Sequence, residues 1–219
     1  MRTTPRIPSS VQASQPAIPH YPRLALARAE RSALVDLLVW AASADLPRDD
    51  QPSPAPPPRE AVRLWAAVPA LAEGHGVAAL AAPRLLPIAP EPVARQIEDA
   101  AARTLARGER MAQDAVRIVR ALGDAGVPFA WIKGAWLAPR LYVRPAARPL
   151  ADLDLLVPPA TAESAAQVLV SLGYVDARRT WKHRAFLPAG NGGVVDLRGE
   201  HPDNPRPIEV HTRLGESFR

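Results

Sequence analysis

The ten residues Arg148-Pro149-Leu150-Ala151-Asp152-Leu153-Asp154-Leu155-Leu156-Val157 constrain this chain more than any other stretch. Apolar and acidic side chains alternate there, and on a β-strand alternation sends Leu153, Leu155 and Val157 to one face and Asp152 with Asp154 to the other. The apolar face needs a core. Residues two apart on a strand stand roughly 6.5–7 Å apart along the chain, so both carboxylates can converge on a pair of divalent cations held about 3.5–4 Å apart. That is a phosphoryl- or nucleotidyl-transfer geometry. An isolated Asp-x-Asp is also what a solvated strand end looks like, so the neighbouring segments decide.

Upstream, Pro128-Phe129-Ala130-Trp131-Ile132 reads as a buried strand running into Lys133-Gly134. A short helix over 135–142 follows, kinked or cut short by Pro139, and then a basic loop over 143–150. Glycine where strand turns into helix lets backbone N–H groups approach a phosphate at the helix N-terminus. Arg148 either offers its planar fork to a phosphate or pairs with Asp152 or Asp154. Downstream, Pro207-Ile208-Glu209-Val210-His211 reads as a second short strand with Glu209 and His211 on one face. Val194-Val195-Asp196-Leu197-Arg198 offers Asp196 as a rival third carboxylate.

A Lys-Gly turn, an Arg before Asp-x-Asp on a strand, and an apolar-Glu-x-His strand occur here in that order, and together they resemble the bacterial uncharacterised nucleotidyltransferase family of the polymerase-β-like superfamily. The similarity runs from about Ser32 to Arg213 and includes Leu172-Gly173-Tyr174. The resemblance implies an α+β fold, with a helical N-terminal region packed on a small mixed β-sheet. It implies a metal-dependent enzyme that moves a nucleoside monophosphate from a nucleoside triphosphate to an acceptor hydroxyl and releases pyrophosphate. Asp152, Asp154 and Glu209 are then the catalytic carboxylates and the ligands of two Mg²⁺ ions. The resemblance favours Glu209 over Asp196 because only Glu209 has a histidine two residues on. Lys133, Gly134 and Arg148 are the nucleotide-binding residues it implies, and His211 is expected to partner a carboxylate or a backbone group.

Two departures from the superfamily pattern stand out. Gly-Ser is commoner where this chain has Lys133-Gly134, so the lysine charge takes the place of a hydroxyl contact, and the interval from Gly134 to Asp152 is long. The sequence stops at Arg219, where family members continue with further helical structure, so the expected core over 127–219 is C-terminally incomplete. Two other readings follow from these departures: a catalytically weak nucleotide-binding or interaction module, or an RNA-directed nucleotidyltransferase. The acceptor expected is a small molecule, peptide or protein, with nucleic acid less favoured.

Composition bears on that last point. The net charge is +5, but Lys133 and Lys182 are the only lysines, and arginine, alanine and proline are all over-used. Such bias is that of a GC-rich coding sequence, in which a basic surface is background and not the footprint of a nucleic acid. The 26 prolines concentrate before residue 60, where they predict a disordered tail over 1–22 and an extended linker over 46–58 within a helical region of 23–126. Without cysteine, disulfides and thiolate metal sites are excluded. No signal peptide or run of about 20 apolar residues is visible, which predicts a cytoplasmic protein with no membrane partner.

Helices are expected over 29–43, 61–71, 77–86 and 160–172, and from Pro90-Glu91-Pro92 to near Gly123 or Gly126. In the last of these Met111, Ala115, Ile118 and Leu122 form one apolar stripe. Further strands are expected over 174–187 and 193–198, with a turn at Gly190-Asn191-Gly192-Gly193. The other histidines, His20, His75, His183 and His201, show no zinc-type spacing.

Overall fold

Proline in the first turn, alanine-rich composition and no interior proline allow helix α4 to run unbroken over Glu91–Asp124, 34 residues or about 51 Å. The molecule is built along it. The computed structural model describes residues 26–43, 53–190 and 201–214. Before α4 come α1 (Arg28–Ala42), α2 (Val62–Gly74) and α3 (Ala78–Leu85). After it come β1 (Ala130–Trp131), α5 (Lys133–Leu141), β2 (Leu153–Leu156), α6 (Ala162–Ser171), β3 (Tyr174–Arg179), β4 (Arg184–Pro188) and β5 (Ile208–His211).

Two apolar cores share α4. Its N-terminal half sends Val93, Ile97, Ala100 and Ala101 into a core with Leu34, Leu37 and Leu38 of α1, Trp65 and Val68 of α2 and Leu85 of α3. Its C-terminal half sends Met111, Ile118 and Leu122 into a second core with Leu153, Leu155, Leu169, Tyr174, Phe186, Ile208 and Val210. Ala115 packs at the edge of the second core, so the stripe expected from the sequence is the packing face. The fold is therefore α+β, a helical part packed against a mixed sheet through one shared helix.

Arg107 and Gly108 lie where the two cores meet. A Cβ on Gly108 would stand 2.5 Å from the Ala146 carbonyl oxygen and 2.7 Å from Ala146 Cα, so the tight turn Pro145–Ala147 rests directly on the helix backbone. Arg107 is 3 % exposed and donates to five backbone carbonyls. Nε reaches Leu150 at 3.1 Å, Nη1 reaches His201 at 3.4 Å and Asn204 at 3.1 Å, and Nη2 reaches Ala151 and Pro205, both at 3.1 Å. Leu150 and Ala151 lead into β2, and residues 201–205 lead into β5. One guanidinium thus ties both approaches to the long helix.

The five-stranded sheet has the order β1-β2-β5-β4-β3. β2 and β5 are parallel, with Asp154 opposite Glu209 and Leu156 opposite His211. The β1–β2, β4–β5 and β3–β4 pairs are antiparallel.

Three sequence-based expectations differ from this fold. Residues 174–187 are not one strand but the hairpin β3–β4, because Thr180 builds a turn: its Oγ1 accepts from the backbone N–H of Lys182 and His183 and donates to the His183 carbonyl. The strand before Lys133 is only two residues long with Ala130 exposed, since it sits at the sheet edge with one neighbour and its apolar anchor is Val127, before the strand. Helix α5 already begins at Lys133. The tail over 1–22, the first part of the 46–58 linker, the 193–198 strand and Asp196 lie outside the described residues, while 53–58 is neither helix nor strand.

Candidate active site

Period-two alternation, applied to two neighbouring parallel strands, places the acidic residues. Leu153 and Leu155 of β2 and Ile208 and Val210 of β5 point into the second core and are at most 4 % exposed, so Asp154, Glu209 and His211 must point to the opposite face. Asp152, just before β2, shares it. One oxygen from each of Asp152, Asp154 and Glu209 lies within 4.8 Å of the others. The three carboxylates expected from the sequence are therefore brought together, two of them by direct register and the third by its position ahead of the strand.

Lys133 faces the same cluster. Its Nζ donates to Asp154 Oδ1 at 2.6 Å, and its backbone is left-handed, with φ +50°. For a residue with a side chain that conformation costs about 1–2 kcal/mol, and such strain concentrates at functional positions. Gly134 follows for a steric reason. A Cβ there would lie 2.5 Å from both Arg148 Nη1 and Leu150 Cδ2, so the Arg148 guanidinium rests on the glycine at the head of α5. Among the described residues Arg148 makes no ion pair with Asp152 or Asp154; its guanidinium lies against Gly134 instead.

Charge at the cluster is unbalanced. Burial, reinforced by the charges of Asp154 and Glu209, pushes the Asp152 carboxyl up to about 6, with Lys133 and His183 opposing. Glu209 is raised as well, first by burial and then by Asp154. Burial alone would pull the Lys133 ammonium down, but the hydrogen bond to Asp154 and the charges of all three carboxylates outweigh it and hold it above its ordinary value. Three acids converge on one face with a single lysine among them. A donor set of three carboxylates is the hard oxygen set that a divalent cation such as Mg²⁺ takes, so these residues could hold a metal ion.

Histidines complete the face. His211 Nε2 is 2.8 Å from Asp154 Oδ1, the carboxylate partner expected for it, and 3.6 Å from Glu209 Oε2. His183 was not singled out by the sequence, yet its Nδ1 lies 3.2 Å from Glu209 Oε2. Burial, followed by the positive charges of His211, Arg178 and Lys133, lowers its pKa. Its signal was topological: Arg184 pairs with Val210 and Ala185 with Glu209, so a hairpin turning at 180–183 sets His183 beside His211, the rings 5.4 Å apart edge to face. Arg107 was missed too, because its partners are main-chain carbonyls that leave no mark in a sequence.

Among the described residues no helix is long and apolar enough to cross a membrane. No curated protein and no solved structure matches the chain. A family model does match, over a span that opens at α2, later than the Ser32 expected from the sequence, and that takes in α4, α5 and every strand of the sheet. With its three carboxylates, its lysine and its glycine-headed helix on one sheet face, and with residues 62–218 matched, this chain belongs to the family described as uncharacterised nucleotidyltransferase.

Proposed function

We propose that the cluster on the β2–β5 face transfers a nucleoside monophosphate from a nucleoside triphosphate to an acceptor hydroxyl, with pyrophosphate leaving. The observation that carries this reading is the convergence of Asp152, Asp154 and Glu209 within 4.8 Å on adjacent parallel strands of a nucleotidyltransferase-family chain. Asp152, Asp154 and Glu209 would hold two Mg²⁺ ions. When bound, those ions supply positive charge to the phosphates and lower the pKa of the acceptor hydroxyl.

The chain's own groups do the rest. Arg148, seated on Gly134, presents a planar pair of N–H donors toward the head of α5, where free backbone N–H groups already favour a phosphate. Lys133 leaves Asp154 for the triphosphate and places its ammonium against the charge that grows on the departing pyrophosphate. Such an exchange is open to it, since its side chain is 57 % exposed while that of Asp154 is 3 % exposed. The acceptor oxygen attacks the α-phosphorus, the bond to the bridging oxygen breaks, and the acceptor's proton passes to a Glu209 carboxylate oxygen. His183 Nδ1 lies against Glu209 Oε2 and His211 Nε2 against Asp154 Oδ1, so each of these carboxylates has a histidine beside it.

Calorimetric titration of nucleoside triphosphate in Mg²⁺ and in chelator tests the proposal. Binding is expected only with Mg²⁺, and Asp154→Asn should abolish it while the thermal melt changes little. Equal affinity in Mg²⁺ and in chelator would replace this reading with that of a metal-independent nucleotide-binding module.

A further inference from the structure

Glu209 belongs to two overlapping sets of donor atoms. The first is the all-oxygen set with Asp152 and Asp154; the second is His183, Glu209 and His211, whose donor atoms also lie within 4.8 Å of one another. The second set has nitrogen in it. We propose that His183 and His211, with Glu209, give the centre a mixed nitrogen and oxygen site that takes a first-row transition ion of the Mn²⁺ type in preference to Mg²⁺. The inference rests on the reading of this face as a divalent-metal centre and adds the identity of one ion.

Distances support a shared ion. With metal–ligand bonds of about 2.1 Å, two ligands at right angles stand about 3.0 Å apart and two at the tetrahedral angle about 3.4 Å. His183 Nδ1 to Glu209 Oε2 is 3.2 Å and His211 Nε2 to Glu209 Oε2 is 3.6 Å. Both nitrogen-to-carboxylate separations are close to that spacing. Imidazole nitrogen is favoured by the later first-row ions and, at the low end of that series, Mn²⁺ takes oxygen and nitrogen donors together, whereas Mg²⁺ is bound by oxygen and dehydrates reluctantly.

The far side of the His183 ring is a different environment, and a cation on Nδ1 does not change it. Nε2 is buried and has no hydrogen-bond partner among the described residues. A buried polar atom in that condition costs about 1–3 kcal/mol, so hydrogen bonding alone does not account for where this ring sits. The backbone enforces the position nonetheless: Thr180 holds both the N–H and the carbonyl of His183, and β4 is locked to β5 in register. The ring is carried to Glu209 by the hairpin turn, which presents Nδ1 to the carboxylate. Because Glu209 is shared, the two ions would be neighbours, the oxygen-rich one on the Asp152 and Asp154 side and the nitrogen-rich one on the histidine side.

Metal binding in the absence of nucleotide decides the matter. Chelator-treated, desalted protein is titrated with Mn²⁺ while free Mn²⁺ is followed by electron paramagnetic resonance, and Mg²⁺ is then added as competitor. The bound ion is expected to show imidazole nitrogen couplings in the spin-echo spectrum. His183→Ala and the more conservative His183→Gln, each checked by thermal melting, should both weaken Mn²⁺ by about tenfold or more. Mg²⁺ affinity should stay within about twofold, since oxygen ligands dominate its binding. Mn²⁺ bound without nitrogen couplings, or with equal affinity in wild type and both variants, overturns the mixed site while leaving the carboxylate centre intact. Failure of the nucleotide-free protein to bind Mn²⁺ also overturns it, and Mg²⁺-dependent triphosphate binding is then judged on the Asp154→Asn titration alone.

Discussion

Replacing Arg107 by methionine keeps the length and apolar stem of the side chain and removes every donor. Five carbonyls, those of Leu150, Ala151, His201, Asn204 and Pro205, lose a charged hydrogen-bond partner at once. Hydrogen bonds to charged groups contribute about 1.5–3 kcal/mol each, but five sharing one guanidinium are not additive, and water can reach those carbonyls that are only part-buried. Against that stands the gain of no longer desolvating a cation. The closest measured situation, removal of one partner from a buried charged interaction, costs about 3–5 kcal/mol, a large share of a typical stability of about 5–15 kcal/mol. With a urea slope of about 3 kcal/mol per molar for a chain of this size, the unfolding midpoint should fall by about 1–1.7 M. Tryptophan fluorescence reads it directly, since Trp65 is buried in one core and Trp131 packs on the other. Arg107→Lys, which retains the charge and three donors, should recover part of the loss. A midpoint for Arg107→Met within about 0.3 M of wild type would show that water replaces the guanidinium without penalty and would refute the role assigned to it.

Three further outcomes are expected. Gly134→Ala should displace the Arg148 guanidinium and weaken Mg²⁺-dependent triphosphate binding by about tenfold, roughly 1.4 kcal/mol, with little change in melting temperature; unchanged affinity in a calorimetric titration would remove Arg148 from the phosphate site. Tyr174→Phe should shift stability by no more than about 1 kcal/mol, because the buried Tyr174 Oη meets no well-aligned partner among the described residues although the Arg117 guanidinium lies beside it, and a larger loss in a urea titration would show that the Arg117 contact is a full hydrogen bond. In chelator-treated protein Asp152 holds its proton more tightly when folded, with a pKa raised to about 6, so its contribution to stability is full below about pH 4 and is lost as the pH rises through about 6; melting curves from pH 4 to 7.5 should show this loss in wild type and not in Asp152→Asn.

What could be seen in the sequence was what short-range periodicity encodes. Asp152, Asp154 and the α4 stripe follow from side-chain spacing along single elements, and Lys133 and Gly134 from a strand giving way to a helix, whereas spacing left Glu209 and Asp196 as rivals and the family resemblance chose between them. His183 was hidden because the residues from 174 to 187 are apolar and charged in a mixture that suits one long strand, and the break depends on one threonine hydroxyl turning back on the chain. Arg107 looked like any other arginine in a chain rich in them. Its significance lies in carbonyls from two distant loops, and backbone atoms are the same under every sequence. The shortness of β1 was equally invisible, since a strand's length depends on neighbours that the strand itself does not specify.

β5 lies in the middle of the sheet although it follows both of its neighbours in the chain, and its pairing with β2 joins Asp154 to Glu209 across about 55 residues. The β3–β4 hairpin is a local structure that can form early, and so are the helices, whereas a long-range parallel pairing is slow because the loop must close before any contact rewards it. Insertion of this strand therefore completes the sheet and the carboxylate cluster in one event. Until then β2 and β4 each carry an open edge of unpaired backbone groups, Asp154 lacks His211, and Glu209 lacks both histidines. Closure of the sheet and assembly of the cluster are thus simultaneous in time, so a chain without β5 in place carries Asp152, Asp154 and Lys133 but neither the third carboxylate nor His211.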